Sequence, residues 1–516
     1  LIALFRIKFD PLLTEERKND GYTRARDKLL ESIGQLIDEV EQSIYKECVN
    51  FLDHMFKTNY FLPTKTGLAF RISPKVLDAT YYPDEPFGIF FIVGRNYRFF
   101  QVRWKDIARG GLRVVMPRSP TDYDFALAGL FDEVYGLSHA QQLKNKDIPE
   151  GGSKAVLLLR DNKQRVQSVR GAINALLDLL VSKDESEEDS LEKQIDYYGK
   201  DEIIYLGPDE NMTNDLIEWV PEQARRRGYK YADAFMSSKP GAGINHKEYG
   251  VTSEGVNVFV HNTLHHLQVD PHKDNFTIKM TGGPDGDVAG NELKILHREY
   301  GENCRVLAIA DGFGAAYDPE GLNWKELLRL VDEGLSINNF SAKLLSKDQA
   351  AFVIEVTAPE RIKLRNELHA KVKADIFIPA GGRPYTVNDK TWNLFIDDDG
   401  KPTCKAIVEG ANIFFTKEAR HQLQKLGVYI IKDSSANKTG VICSSYEIIA
   451  SLCLSAEELI AFKDQYVSDV IDILRLKADA EAKLLFREHK RAGGRKNLVD
   501  LSMDISREIN NVTDIL

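Results

Sequence analysis

Arg109 stands directly before Gly110 and Gly111, Lys144 lies in the run Gln142-Leu143-Lys144-Asn145, and Lys154 directly follows Gly151-Gly152-Ser153. An acid, Asp209, comes later in Gly207-Pro208-Asp209, at the end of a predicted strand. Fixed cations of this kind hold carboxylates. A lysine whose pKa is lowered by burial or by a neighbouring cation can exchange protons near neutral pH. A carboxylate beside it can pass protons to and from an amine. Oxidative deamination of an amino acid needs this inventory. Taken singly, each lysine reads as an ordinary solvated charge. The glycine pairs change the balance, because a Gly-Gly loop beside a cation lets the backbone approach a ligand closely.

A second constellation begins after residue 276. The run Gly282-Gly283-Pro284-Asp285-Gly286-Asp287-Val288-Ala289-Gly290 separates a predicted strand, FTIKM, from a predicted helix, Asn291–Tyr300. This is where a dinucleotide fold places a pyrophosphate, on close-packed glycines and a helix N-terminus. The spacing departs from G-x-G-x-x-G, so the string alone is equally an ordinary strand–helix turn. Asp311 ends the next strand, where a carboxylate accepts hydrogen bonds from an adenosine ribose and repels the phosphate of NADP. Its rival role is a turn-former before Gly312. Together the two features favour NAD.

The elements that must position these residues are α/β. Residues 14–57 read as one amphipathic helix, with Leu30, Ile33, Ile37, Val40 and Ile44 at helical spacing. GLAFRIS, FGIFFIVG and YRFFQVRW between 66 and 104 read as strands, and Arg109–Gly111 as the loop after them. Thr121 to Asp124 fits a helix start, with Leu127, Leu130, Val134 and Leu137 carrying that helix toward Lys144. Strands are expected at 155–159 and 203–206, helices at 211–228 and 251–268, a charged surface segment at 181–200, and a glycine-rich loop at 237–250. Strands at 276–280, 305–310, 374–379, 405–410 and 427–432 alternate with helices, which implies a parallel sheet. The boundaries that follow are a helical segment over 1–57, a substrate-binding catalytic domain over 58–265, a Rossmann-like dinucleotide domain over 266–449, and C-terminal helices over 450–516 returning to the substrate domain. A cleft between two α/β domains is the expected architecture.

The bulk numbers limit the alternatives. A chain of 516 residues exceeds a single core. Its 43% apolar and 28% charged residues are those of a globular protein. The net charge of −10 argues against a nucleic-acid partner. Five scattered cysteines have neither zinc-ligand spacing nor a disulfide pattern, so no metal site is expected and a reducing, cytoplasmic location is (mitochondrial in a eukaryote). The apolar runs are too short to span a bilayer, and no signal peptide is visible. The chain opens on Leu1 rather than Met, as a fragment of a larger polypeptide would.

The ordered runs ARGGLR (108–113), QLKNK (142–146), PEGGSK (149–154), GPDENM (207–212), HKEYGVTSEG (246–255), GDVAGN (286–291), EGAN (409–412) and GVICSSYE (440–447) resemble glutamate dehydrogenases, the large NAD-dependent subgroup in particular. The resemblance covers roughly residues 95–450 and implies a role for each matching position. Lys144 would hold the substrate α-carboxylate. Arg109, beside Gly110 and Gly111, would hold the distal carboxylate with Ser444, for which Ser445 is the alternative. Lys154 would activate the water that attacks the imine, and Asp209 would shuttle protons to the nitrogen. Thr252 and Asn412 would meet the nicotinamide. Gly282, Gly283, Gly286, Asp287, Val288 and Gly290 would hold the pyrophosphate, and Asp311 the ribose. Ala155-Val156 and Pro379–Pro384 depart from the family's strings.

The implied function is conversion of L-glutamate to 2-oxoglutarate and ammonia with NAD, in a homo-oligomer. A dehydrogenase for leucine, valine or phenylalanine is a closer rival, which a cation at 109 opposes because an aliphatic substrate would leave it buried and unpaired. A nucleotide-sensing protein without catalysis would sit better with a lost Lys154 or Asp209. A scaffold role would rest on the charged terminal helices and would leave the glycine–lysine runs unexplained.

Overall fold

The computed structural model describes residues 1–145, 147–181, 194–237 and 243–515. Most of the expected charged segment (182–193) and part of the expected glycine-rich loop (238–242) lie outside the described residues. The chain divides into two compact units, Leu1–Gln142 with Glu150–Pro240, and Leu143–Pro149 with Gly241–Leu516.

Among the described residues, the first unit holds an eight-stranded mixed sheet. Its spatial order is Ile195–Asp196, Met55–Thr58, Leu68–Ile72, Gly88–Val93, Tyr97–Arg103, Gly151–Leu159, Ala108–Val115 and Ile204–Pro208. Side chains alternate between the two faces of a strand, and both faces here are apolar. Phe90, Ile92, Phe99, Leu112, Val114, Leu157 and Leu159 pack against helices Arg165–Leu180 and Asn214–Arg226. Ile89, Val102, Val115, Val156 and Leu158 pack against the N-terminal helices and helix Leu130–Gln142. The sheet is thus buried on both sides, and its strands read as continuous apolar runs.

Two local expectations fail for identifiable reasons. The single helix over 14–57 is two helices, Glu15–Gly34 and Glu39–Asp53, because the Asp38 side chain accepts the Val40 and Glu41 amides at 2.7 and 3.1 Å and starts a new helix. Of the five periodic residues, Ile33 is buried while Ile37, Val40 and Ile44 are exposed. The next helix starts two residues earlier than read. Ser119, not Thr121, caps Pro120–Ala128 by accepting the Asp122 amide, and a break at Gly129 separates it from Leu130–Gln142.

The second unit holds, among the described residues, a seven-stranded sheet ordered Phe352–Glu355, Gly314–Tyr317, Cys304–Ala310, Phe276–Thr281, Ala374–Pro379, Cys404–Val408 and Tyr429–Ile431. The last five are parallel, at the positions the alternating pattern predicts. The first two were not expected, and Gly314–Tyr317 is antiparallel to both of its neighbours. Helix Val251–His266, expected at the end of the substrate domain, lies in the second unit, where helix Lys463–Arg491 packs on it. Arg475 binds Glu254 at 2.8 Å, Asn262 donates to Asp479 at 3.1 Å, and Ala478, Ala482, Leu485, Leu498 and Leu501 join the core under the parallel sheet. Apolar burial in that core holds the C-terminal helices there. No helix among the described residues is long and apolar enough to cross a membrane.

Candidate active site

Strand Ala108–Val115 lies between Gly151–Leu159 and Ile204–Pro208 and is parallel to both. Pairing of Arg109 with Gly152 and of Leu112 with Ala155 sets Lys154 beside Gly111. On the other side Gly111 pairs with Gly207, and the strand runs out at Pro208, just before Asp209. By alternation Arg109, Gly111 and Arg113 share one face. Gly111 contributes no side chain to it, and in the gap Lys154 Nζ donates to Asp209 Oδ2. A Cβ at 111 would lie 3.1 Å from Asp209 Oδ2 and 3.3 Å from Lys154 Nζ.

The glycines beside the cations are strand interiors, not the loop the sequence suggested. At Gly110 and Gly152 neighbouring backbone presses too closely for any side chain. A Cβ on Gly110 would fall 1.6 Å from Ser153 O, and one on Gly152 would fall 2.1 Å from Gln142 N. Gln142 ends helix Leu130–Gln142, and its Oε1 accepts the Gly152 amide at 2.7 Å.

Lys154 is 4% exposed, and burial lowers its pKa. Asp209 opposes that shift and the Arg113 charge adds to it. Burial pushes the Asp209 carboxyl up, but Lys154 and Arg113 outweigh it and hold the acid well below the usual carboxylate range. The pair therefore joins an ionised carboxylate, about a third exposed, to a lysine that holds its proton loosely. Arg113 was not singled out from the sequence, although it is the next residue of the same face. Its Nη1 donates to Glu133 at 2.8 Å, and its Nε lies 3.6 Å from Glu210 and 3.9 Å from Asp209.

Arg109 is 5% exposed, and its Nε and Nη2 both donate to Glu150 Oε1, at 3.0 and 2.6 Å. This removes a premise of the sequence argument. A cation already paired with Glu150 would not be stranded by an aliphatic substrate, so Arg109 alone does not separate glutamate from leucine.

In the second unit Lys144, 3% exposed, donates to Asn412 Oδ1 at 3.1 Å. The same oxygen accepts Asn437 Nδ2 at 2.9 Å, and Asn437 also donates to Gly410 O at 3.0 Å. The loop is clamped at both ends. Arg420 grips Glu409 bidentately at 2.6 and 2.7 Å, and Asp433 accepts the Ile413 amide at 2.6 Å. Asn437 carried no sequence signal, since nothing in its spacing relates it to residue 412. Ser444 is half-buried, its Oγ 3.4 Å from His246 Nε2, while Ser445 is fully buried and donates back to Val441 O. Thr252 opens helix Val251–His266, where its carbonyl accepts Thr439 Oγ1 at 3.2 Å.

The glycine turn has the tightness a phosphate cradle needs. Gly282 has φ +94°, and a Cβ there would lie 2.9 Å from Gly381 N. A Cβ on Gly290 would fall 2.3 Å from Pro284 O. Gly286 begins helix Asp287–Tyr300 and no side chain caps that end, so Asp287 and Val288 occupy an uncapped first turn. Of the two roles the sequence left open for Asp311, the structure shows the turn-former, placed against the glycine turn. Asp311 lies 2.4 Å from where a Gly283 Cβ would be. It also folds its own turn, with Oδ1 accepting the Phe313 and Gly314 amides at 2.8 and 2.9 Å and Oδ2 the Ile337 amide at 2.7 Å. No group of three or more His, Cys, Asp or Glu among the described residues is placed to hold a metal ion.

Residues 242–475 match the glutamate/leucine/phenylalanine/valine dehydrogenase family. Over 480 residues the chain is 38% identical to a probable NAD-specific glutamate dehydrogenase of Schizosaccharomyces pombe, covering 88% of this chain and 42% of the relative. Over 498 residues it is 37% identical to the NAD-specific glutamate dehydrogenase of Neurospora crassa, covering 91% and 46%. The chain spans about half the length of the curated relatives it matches. Among solved structures, a glutamate dehydrogenase of Plasmodium falciparum superposes with a TM-score of 0.55 at 16% identity, covering 98% of this chain and 97% of that one. A hetero-hexameric glutamate dehydrogenase of Thermus thermophilus gives 0.51 at 18%, covering 81% and 84%. These two likenesses establish the shared fold.

Proposed function

We propose that this chain carries the catalytic region of an NAD-dependent glutamate dehydrogenase, which converts L-glutamate, oxidised NAD and water to 2-oxoglutarate, ammonium, NADH and a proton. The observation that carries the reading is the contact of the buried Lys154 amine with the Asp209 carboxylate in the gap beside Gly111. The names of the relatives at 37–38% identity support glutamate and NAD as the reactants.

Lys144 holds the substrate α-carboxylate as a point charge, oriented by Asn412. Arg109, with Ser444, takes the distal carboxylate. Asp209 receives a proton from the substrate ammonium and later returns it to the departing nitrogen. Lys154, neutral, accepts a proton from the water that adds to the imine carbon, and as the cation it stabilises the charge that develops. NAD, when bound, supplies the acceptor for the hydride leaving Cα. The glycine turn fits its pyrophosphate by the close approaches described above, with Asp311 toward the ribose and Thr252 and Asn412 toward the nicotinamide. A homo-oligomer in the cytoplasm, or in mitochondria in a eukaryote, belongs to the same reading. The exposed Ile37, Val40 and Ile44 support assembly through the N-terminal helices.

The test is NADH formation at 340 nm with glutamate and NAD, against leucine, NADP and a Lys154→Ala variant. Turnover specific to glutamate and NAD that collapses in the variant is expected. Turnover of leucine in preference to glutamate would overturn the substrate. Neither turnover nor binding of NAD would overturn the enzyme.

A further inference from the structure

Glu150 faces the one guanidinium that the proposed reaction assigns to the distal carboxylate. Arg109 and Glu150 are almost wholly buried, at 5% and 3% exposure. One carboxylate oxygen takes both Nε and Nη2, the edge of the guanidinium that a second carboxylate would use for a bidentate pair. The backbone fixes this approach, since Arg109 pairs with Gly152, two residues beyond Glu150 on the adjacent strand. Tyr205 closes the same corner. It pairs with Arg109 on the other side, and the Glu150 charge contributes to raising its hydroxyl pKa after burial.

We infer that Glu150 is an internal competitor for Arg109 and sets how strongly the site prefers a dicarboxylic substrate. A distal carboxylate arriving at the closed pair would place two negative charges on one buried guanidinium, which low dielectric penalises. Binding therefore requires Glu150 to give up Arg109. A monocarboxylic amino acid leaves the pair closed and meets no such cost. The inference rests on the assignment of Arg109 to the distal carboxylate.

The experiment compares the unaltered full-length protein with Glu150→Gln, which keeps shape and removes charge. The readouts are the Kd of glutarate by calorimetry, and KM and kcat for glutamate and norvaline. In the variant, Kd for glutarate and KM for glutamate fall about tenfold, equivalent to ~1.4 kcal/mol. The glutamate kcat stays within about twofold on the same scale, and norvaline KM does not move. A lost structural pair would instead move both substrates together. Unchanged or weaker glutarate binding in Glu150→Gln overturns the inference while leaving the glutamate reaction standing. Absence of glutarate binding and of glutamate turnover in the unaltered protein overturns the functional reading, and this inference with it. If the variant does not fold, a glutarate-bound structure of the unaltered protein decides. Arg109 parted from Glu150 and bound to glutarate is expected, and the pair still closed overturns the inference.

Discussion

Lys154 and Asp209 reach each other across a residue with no side chain. Lys154 sits on one strand flanking Ala108–Val115 and Asp209 directly after the end of the other, and Gly111 between them leaves the space in which ammonium and carboxylate meet. Gly111→Ala puts a methyl group 3.1 Å from the carboxylate and 3.3 Å from Nζ, tight enough to part them without breaking the strand. A misplacement of about 1 Å at reacting groups costs about 100-fold in rate, and the smaller shift needed here costs part of that. Gly111→Ala is expected to fold, to keep its unfolding midpoint within a few degrees, and to lose kcat. Gly110→Ala should fail to fold, because its methyl would lie 1.6 Å from Ser153 O. Full activity in Gly111→Ala would mean that the pair does not act through this gap.

The pH dependence has a definite sign. Burial, then the Arg113 charge, lower the Lys154 pKa below its ordinary 10.5. The neutral base is the species that accepts the water proton, so kcat rises with pH through a midpoint below that value and levels off above the midpoint. Arg113→Gln removes one of the lowering influences, and the midpoint of the kcat profile should move toward alkaline pH. A move toward acid would show that Arg113 acts on another group.

The strands of both sheets were legible where apolar and β-branched residues run between glycines and prolines, as in GIFFIV and RVLAIA. The parallel part of the second unit's sheet followed from their alternation with helices. What misled was glycine. Gly110, Gly111 and Gly152 look like loop residues because glycine weakens an isolated strand, but Ser153 presses on Gly110, Gln142 on Gly152, and the Lys154–Asp209 contact fills the space beside Gly111, which only the folded neighbours reveal. The long helix over 14–57 failed similarly, since helical spacing persists through Asp38 while the cap does not. Lys154 and Asp209 were legible from type and motif. The Glu150 and Asn437 partnerships were not, because an ion pair and an amide relay across distant positions leave no periodicity.

Asp311 tests whether one carboxylate serves fold and ligand at once. It accepts the Phe313, Gly314 and Ile337 amides, and the last two lie in buried surroundings. Asp311→Ala leaves these donors without an acceptor, at a cost of about 1–3 kcal/mol for a buried unsatisfied group. Thermal unfolding without NAD should therefore show a loss of stability, and calorimetry a separate loss of NAD affinity. Weaker NAD binding with unchanged stability would mean that the turn does not depend on the carboxylate.

Glu292 supplies a test in the opposite direction. It lies on helix Asp287–Tyr300 at 0% exposure, and neither carboxylate oxygen has a hydrogen-bond partner among the described residues. Burial, then the nearby Glu254 charge, raise its pKa well above the ordinary 4.5. At pH below 4.5 the folded and unfolded chains both hold the proton, and ionisation costs the fold nothing. As pH rises past that point the unfolded chain releases the proton while the folded one keeps it, so stability falls until the buried group itself titrates. Glu292→Met fills a similar volume with apolar atoms and removes the liability. At pH 7.5 it should raise the stability of the unit by about 1–3 kcal/mol, read as a shift of the denaturant midpoint at constant slope. The gain should shrink steadily toward pH 4.5. A gain independent of pH, or one that grows in acid, would show that Glu292 is ionised in the fold and held by a partner.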